Sequence, residues 1–273
     1  MADDVPYLLR GVSADATESS VLISSSAYLN DWRLRDWVAM AMLRRNAPNN
    51  PFSADSYSLN VIMEDLQDFE AIDAAFEAER ANNPALDRWL GERFLHSLGK
   101  ADFAQYEPGS LGGAYYRYLT DNGFDLDIRE PWVPTGHFSY LRRRAVQVHD
   151  WDHILCGGSF DAYGELIPYY VRLTNMFKFL PPALAKEACA TAIFGSGRIM
   201  TRTMLHYPQC WQVAVDAMQR GIAVGQASDC LFMADYEGAL ALPLEEARAY
   251  LGVRDVSFVD TAEASKIFME ADR

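Results

Sequence analysis

Apolar residues recur every three or four positions along most of the chain, which is the spacing of a helix with one buried face. The first such segment spans residues 29–45, and Pro48 follows it. A second segment spans residues 59–80, and a third begins at Pro84 and ends before Gly99. Alternating segments typical of strands are short and few, so the pattern predicts that the first hundred residues are mostly helical.

Helical spacing continues beyond residue 100. A short helix is predicted at about residues 112–120, with the Asn-Gly pair at 122–123 as its end. A long helix is predicted at about residues 138–156, with Gly157-Gly158 as its end. These two elements bracket a proline-containing stretch that should be extended.

The chain beyond residue 160 also favours helices. One is predicted to begin near Asp161, a suitable N-cap, and to end before Pro181-Pro182. The remaining predicted helices are 183–195, 196–205, 208–223, 225–240 and 244–251. The fold class that follows is all-α, with a single multi-helix domain.

Composition is that of a globular protein. Half of the 273 residues are apolar, which is enough to build a substantial core. The opening MADDVPYLLRG has neither a basic region nor a long apolar run. Apolar runs such as residues 38–43 are far shorter than the roughly twenty residues that span a bilayer. We therefore expect a cytoplasmic protein with no membrane-spanning segment.

Charge is unevenly distributed along the chain. The net charge of −14 argues against nucleic-acid binding and against general adhesion to anionic lipid. Residues 133–220 nevertheless carry nine basic and six acidic side chains. Two interpretations are open: acidic outer faces that only keep the protein soluble, or a basic region that attracts an anionic substrate or headgroup.

The basic region contains the segment HDWDHILCGGSFDAYGE, residues 149–165. On a helix that turns about 100° per residue, His149, Asp150 and His153 project within one quadrant. A reversal at the two glycines would return Glu165 to the histidines. Two imidazoles with one or two carboxylates suit Zn²⁺, Fe²⁺ or Mn²⁺ and can leave a position open for water or substrate. The segment therefore predicts a metal-binding helical hairpin.

Other interpretations of the segment stay open. A histidine pair four residues apart also occurs by chance on solvated helices. The apolar residues on either side of this pair indicate instead that the hairpin is buried. Buried imidazoles and carboxylates without partners would cost several kcal/mol, and a shared ion would supply the partner. The zinc-protease signature is absent because aspartate, not glutamate, follows the first histidine. A metal-dependent phosphohydrolase of the HD type would need further ligands. The candidates for these are His137, Asp216, Asp229 and Asp235.

The spacing HDxxH, eleven residues, then Glu resembles the hallmark of the ubiquinone (coenzyme Q) biosynthesis protein 4 family. Three further segments are similar to the family and follow its order: EPGSLGGAYYRYLTDNG (107–123), YGELIPY (163–169) and a closing part that ends with PLEEARAYLGV (243–253). The resemblance covers about residues 100–255. It divides the chain into a loosely matched N-terminal helical region (1–100), a family core (101–255) and a C-terminal tail (256–273).

The resemblance implies an all-helical protein, often a homodimer, that binds a divalent metal, zinc or iron, through the motif. It also implies a peripheral position at the inner membrane among other ubiquinone biosynthesis enzymes. Family members bind polyprenyl lipids and are linked to oxidative removal of the ring C1 carboxylate of the precursor. The expected function is binding and decarboxylation of that precursor. A non-catalytic scaffold that presents the lipid to partner enzymes is the alternative.

Substrate contacts are expected from arginines that could pair with a carboxylate or diphosphate and from aromatic side chains that could line a groove for the tail. The candidates are Arg142, Arg143, Arg144, Arg198, Arg202, Tyr115 and Tyr116, with Phe177, Phe179, Met200 and Met204 for the tail. The alternatives are solvated surface arginines and plain apolar core. No catalytic residue is assigned.

Overall fold

The computed structural model describes residue 24 and residues 26–46, 52–126 and 131–270, with side chains from residue 55 onward in the second of these ranges. Its helices are α1 (Trp32–Leu43), α2 (Phe52–Leu66), α3 (Phe69–Arg80), α4 (Pro84–Glu92), α5 (Leu111–Asp121), α6 (His137–Cys156), α7 (Leu166–Phe179), α8 (Pro182–His206), α9 (Trp211–Ala227), α10 (Tyr236–Ala239), α11 (Leu244–Leu251) and α12 (Ala262–Met269). The described residues contain no strand, so the all-α prediction is confirmed. The opening segment MADDVPYLLRG lies outside the described residues.

Several helix boundaries differ from the prediction because local capping decides them. The predicted helix 59–80 is two helices, since Asp68 caps the second by accepting a 3.0 Å hydrogen bond from the backbone N–H of Ala71. The helix that begins at Pro84 ends at Glu92, where Arg93 takes a left-handed conformation with φ of 45°. Residues 93–99, expected to continue that helix, belong to no helix.

The C-terminal half differs in a similar way. The predicted break near residue 195 does not occur, and α8 is continuous from Pro182 to His206. The helix predicted at 225–240 is replaced by two short elements, the 3-10 helix Leu231–Met233 and α10. The tail contains α12, for which the sequence pattern gave no expectation.

Helix α7 lies at the centre of the molecule, packed against α8 and α9. Two glycines let α9 approach closely: a Cβ at Gly221 would lie 2.6 Å from the carbonyl oxygen of Ile167, and one at Gly225 would lie 2.7 Å from that of Val171. The largest apolar cluster surrounds this crossing and includes Trp151 of α6. The start of α7 is therefore fixed in a rigid part of the fold.

The N-terminal helices α1 and α2 pack on α8 through an apolar cluster and a buried ionic one. The carboxylate of Asp55 accepts hydrogen bonds from Arg44, at 3.0 Å to each oxygen, and from Arg202. Arg198 lies 3.4 Å from the same carboxylate and donates to Ser56 Oγ at 2.6 Å. Three guanidinium groups thus surround one carboxylate and fasten the N-terminal helices to α8.

Among the described residues, every helix is too short or too polar to cross a membrane. This agrees with the short apolar runs of the sequence.

Candidate metal centre

The hairpin between α6 and α7 is built on glycines. Gly157 ends α6 with φ of 79°, a left-handed conformation that favours glycine. A Cβ at Gly164 would lie 2.0 Å from the carbonyl oxygen of Ser159, so the turn closes only because residue 164 lacks a side chain. The chain reverses within this turn and brings the start of α7 beside the end of α6.

Asp161, expected as the N-cap of the next helix, instead organises the turn before it. Its carboxylate accepts a 2.9 Å hydrogen bond from the backbone N–H of Gly164. It also accepts hydrogen bonds from the hydroxyls of Thr261 at 2.7 Å and Ser265 at 2.6 Å. The C-terminal tail therefore anchors the turn of the hairpin.

The turn brings His149, His153 and Glu165 together. His149 Nε2 lies 3.4 Å from Glu165 Oε2, and His153 Nε2 lies 3.4 Å from Glu165 Oε1. Candidate ligand atoms of the three residues lie within 4.8 Å of one another. Ligand atoms bound at ~2.0–2.1 Å to a tetrahedral ion lie ~3.3–3.4 Å apart, so both measured separations suit a shared metal ion.

The imidazole of His153 is oriented as in a metal ligand. Its Nδ1 donates a 2.9 Å hydrogen bond to the carbonyl oxygen of Ser159, an acceptor only, so Nε2 is the ring nitrogen that is left to bind a metal ion. Nε2 is buried and has no hydrogen-bond partner among the described residues. Metal-bound histidines almost always donate their other ring N–H to a carbonyl or carboxylate in this way.

Charges within the cluster reinforce one another. Burial opposes the charged form of Glu165, but His153 and His149 outweigh it and hold the pKa of Glu165 well below its usual range. Burial likewise opposes the charged form of His149, but Glu165 outweighs it and raises the pKa of His149. At neutral pH Glu165 is therefore a carboxylate, the form that binds a metal ion.

Asp150, the fourth predicted ligand, does not join the cluster. Its Oδ2 accepts a 3.2 Å hydrogen bond from the hydroxyl of Tyr115, and burial raises the pKa of its carboxyl group. The structure thus gathers three of the four motif side chains and places Asp150 beside them. Tyr115, expected to line a tail groove, is buried and bound to Asp150.

Two aromatic rings cover His153 on one side. Phe160 stacks on the His153 imidazole with 4.7 Å between ring centroids, and Tyr118 stacks on Phe160 at 3.5 Å. Sequence analysis missed both residues, although Phe160 lies inside the eleven-residue spacer of the motif. These rings fix the orientation of the imidazole.

A cavity of about 590 Å³ opens next to the cluster, with His149 and Glu165 in its wall. Residues of α2, α6, α7 and α8 line it, including Arg142 and Arg172. This volume is within the range of ~300–1,000 Å³ that is typical of small-molecule sites. The cluster therefore adjoins a space large enough for an organic ligand.

The predicted substrate-binding arginines occupy different environments. Arg142 lines the cavity and pairs with Glu64 of α2 at 3.0 Å. Arg144 is buried and bound to both carboxylate oxygens of Glu237 at 2.5 and 2.6 Å. The other predicted arginines do not line the cavity: Arg143 lies over the Trp132 ring, and Arg198 and Arg202 surround Asp55.

One cavity arginine, Arg172, was missed by sequence analysis. It lies seven residues after Glu165, two turns along the same helix, and that spacing was the available signal. The aromatic and methionine candidates for a tail groove are not in the cavity wall. Tyr116 is partly buried against the core, while Phe177 and Met204 are exposed.

Residues needed for the phosphohydrolase interpretation are not gathered here. His137 lies at the other end of α6, with Nε2 2.9 Å from Glu77 Oε2. Asp229 pairs with Arg254 at 2.7 Å, and Asp235 caps α10. The geometry gives that interpretation no support.

Residues 95–257 match the family described as Coenzyme Q (ubiquinone) biosynthesis protein Coq4. The chain belongs to this family. The matched region contains the hairpin and the whole three-residue cluster, and it links the chain to ubiquinone biosynthesis. Helices α1–α4 precede the matched region.

Two curated fungal proteins, both named "Ubiquinone biosynthesis protein COQ4, mitochondrial", are similar to this Coq4 chain. The one from Laccaria bicolor is 26% identical over 163 residues, which is 58% of this chain and 48% of the relative. The one from Coprinopsis cinerea is 29% identical over 75 residues, which is 27% of this chain and 26% of the relative. The matches thus span about half, or less, of the length of these relatives.

A crystal structure of a protein from Nostoc punctiforme PCC 73102, described as a ubiquinone biosynthesis protein, has a similar fold. The TM-score is 0.57 at 19% sequence identity, over 81% of this chain and 99% of that one. At this identity the similarity concerns the fold alone.

Proposed function

We propose that this Coq4 chain binds a divalent metal ion, zinc or iron, through His149, His153 and Glu165. We propose further that the adjoining cavity holds the aromatic head of a polyprenylated ubiquinone precursor. Family membership supports a role in ubiquinone biosynthesis, and the size of the cavity supports binding of a small organic molecule.

The observation that carries the metal proposal is the buried Nε2 of His153. A buried polar atom without a hydrogen-bond partner costs free energy, and this one lies 3.4 Å from Glu165 Oε1. A cation shared by the three side chains would give this nitrogen the partner that it lacks. Three protein ligands also leave a coordination position for substrate or water, as in catalytic zinc sites.

We infer that the reaction is oxidative decarboxylation at ring C1. The bond between C1 and the carboxylate carbon breaks and CO₂ leaves, while a C1–O bond forms. Water and a proton are consumed, and O₂ takes up the two electrons to give hydrogen peroxide. A bound metal ion would supply Lewis acidity toward a ring oxygen or, in the case of iron, redox activity toward O₂.

Residues of the chain would prepare the ring for this reaction. Glu165 stays ionised, and its two oxygens face the two imidazoles, so the three groups form one rigid set of donors. Phe138, Leu141 and Val146 contribute apolar wall to the cavity and would exclude water from the ring. Because the donor groups are fixed and the cavity wall is apolar, we expect the protein to contribute to the reaction mainly by positioning the ring.

Entry of a lipid tail is supported by the side chains at the cavity's edge. Tyr57 and Val61 of α2 line the cavity and are 68% and 41% exposed. We propose that this edge faces a membrane surface with which the protein associates peripherally. A homodimer and contacts with other ubiquinone biosynthesis enzymes stay predictions from the family, testable by the mass of the protein in solution and by co-purification.

The function is tested by incubating metal-loaded protein with a prenylated hydroxybenzoate under air and following the substrate by mass spectrometry. We expect replacement of the carboxylate by a hydroxyl group, and loss of this conversion in Glu165→Gln. His137→Ala is the matched control, because that histidine lies on the same helix outside the cluster. Binding of substrate without turnover, with a closed metal shell by X-ray absorption, would favour the scaffold instead.

A further inference from the structure

Arg172 lies in the wall of the same cavity as the cluster, farther along α7. The rise from Glu165 to Arg172 is seven residues, about 10 Å along the helix axis. Residues seven apart lie on the same face of a helix, so Arg172 and Glu165 project from α7 in nearly the same direction. One cavity therefore holds a metal-type cluster and, within two helical turns, a guanidinium group.

The hydrogen bonds of Arg172 hold it in place and use only part of its donor capacity. Nη2 donates to the carbonyl oxygen of Ala145 at 3.2 Å and to Asp152 Oδ2 at 3.1 Å. The other oxygen of Asp152 accepts a 2.5 Å hydrogen bond from the hydroxyl of Tyr236. Among the described residues Nε and Nη1 of Arg172 have no recorded partner, and the side chain is 21% exposed.

The other charged side chains of the cavity wall are paired, as Arg172 is with Asp152. Arg142 pairs with Glu64, and Glu187 pairs with Lys186 at 2.9 Å and accepts a hydrogen bond from Tyr28. Glu165 belongs to the cluster. Arg172 is thus the cavity cation that combines a fixed position with remaining N–H donors.

We propose that Arg172 is the binding site for the carboxylate of an aromatic acid. The ring oxygen at the opposite end of the acid would then point to His149 and Glu165. A benzene ring with oxygen groups in para positions matches two binding groups at separate places along one helical hairpin. Charge-assisted hydrogen bonds from guanidinium to carboxylate supply the specificity. This inference rests on the proposed function, because it assigns the orientation of that substrate.

The orientation suits the proposed reaction. An ionised ring oxygen raises electron density at the para carbon, which here is C1, the carbon that carries the carboxylate. Arg172 would hold the carboxylate until the carbon–carbon bond breaks and CO₂ leaves. Arg172 is therefore a specificity-determining residue, and the electron acceptor remains the O₂ named above.

The test compares two probes, para-hydroxybenzoate and its neutral amide, by titration calorimetry on the full chain treated with a chelator. We expect Arg172→Gln to weaken binding of the acid roughly tenfold and to leave the amide nearly unchanged. Asp152→Asn should leave the acid bound as well as before or more tightly, because Arg172 loses its resident carboxylate.

A purely structural role for Arg172 predicts a different pattern. Arg172→Gln and Asp152→Asn would then weaken both probes alike, and this result would overturn the proposal. Equal binding of the acid by wild type and Arg172→Gln, or no binding by wild type, would also overturn it. Because the titration uses chelator-treated protein, it is separate from the metal proposal. His153→Ala should lose the metal and keep the preference for the acid.

Discussion

Two charged clusters in this protein differ in whether their polar atoms find partners among the protein's own side chains. Around Asp55, three arginines from α8 and the end of α1 surround one carboxylate. In the hairpin, a carboxylate faces two imidazole nitrogens, and one of these is buried without a hydrogen-bond partner. The first cluster is satisfied by its own side chains and stabilises the fold, whereas the second leaves a buried nitrogen at the place where we propose that a cation binds.

The largest effect is expected at the first cluster. Asp55→Asn removes the carboxylate and leaves buried guanidinium groups without compensation, which should lower the free energy of unfolding by ~3–5 kcal/mol. Urea unfolding followed by circular dichroism measures it. Asp65→Asn, which breaks an exposed pair with Arg33, is the control and should cost less than ~1 kcal/mol. Equal midpoints for the two variants would contradict the contrast between the clusters.

Binding of a metal ion to the second cluster should stabilise the protein, and this gain should not depend on the first cluster. At a free metal concentration of 100 times Kd, the free energy of unfolding should rise by about 2.7 kcal/mol. Thermal unfolding with and without zinc measures this gain. Glu165→Gln should abolish the gain, while Arg44→Gln, in the Asp55 cluster, should keep it. A gain that survives in Glu165→Gln would place the ion elsewhere.

The tail should influence the hairpin through Asp161. Ser265→Ala removes one of the two hydroxyls that bind this carboxylate, so we expect a loss of about 1 kcal/mol in stability. Metal affinity should fall with it, because the turn that presents Glu165 loosens. Zinc titration with a competing chelator measures the affinity. The matched control is Ser257→Ala, a serine of the same tail outside this contact, and an equal effect there would argue against the anchor.

The smallest effect is expected beside the cluster. Tyr115→Phe removes the hydrogen bond to Asp150 Oδ2 and should change metal affinity only a few-fold, because this carboxylate is not one of the three gathered ligands. Asp150→Asn should weaken metal binding by about 10-fold and leave the metal content at saturation unchanged. Complete loss of metal in Asp150→Asn would show that Asp150 is a ligand after all.

How far the sequence could predict this structure depended on whether the deciding contacts were local. Helical periodicity and the glycine pair at 157–158 gave α6 and its end within a residue or two. The motif spacing gave the meeting of His149, His153 and Glu165. These features depend on neighbours within one hairpin, where geometry follows from spacing.

Features set by distant partners were missed or misplaced. Asp161 resembled an N-cap. Its carboxylate instead accepts hydrogen bonds from the backbone N–H of Gly164 and from two hydroxyls about a hundred residues away, those of Thr261 and Ser265. Arg198 and Arg202 resembled a substrate site because they share a helix face, but Asp55 of α2 lies on that face. Spacing along one helix does not show which other helix packs against it.

The central claim, that His149, His153 and Glu165 hold a metal ion, is tested most directly by elemental analysis of protein purified without a metal-affinity tag. We predict about one zinc or iron ion per chain in wild type and in His137→Ala, and none in folded His153→Ala or Glu165→Gln. Wild type without metal after reconstitution, or folded variants with the same metal content as wild type, would contradict the claim.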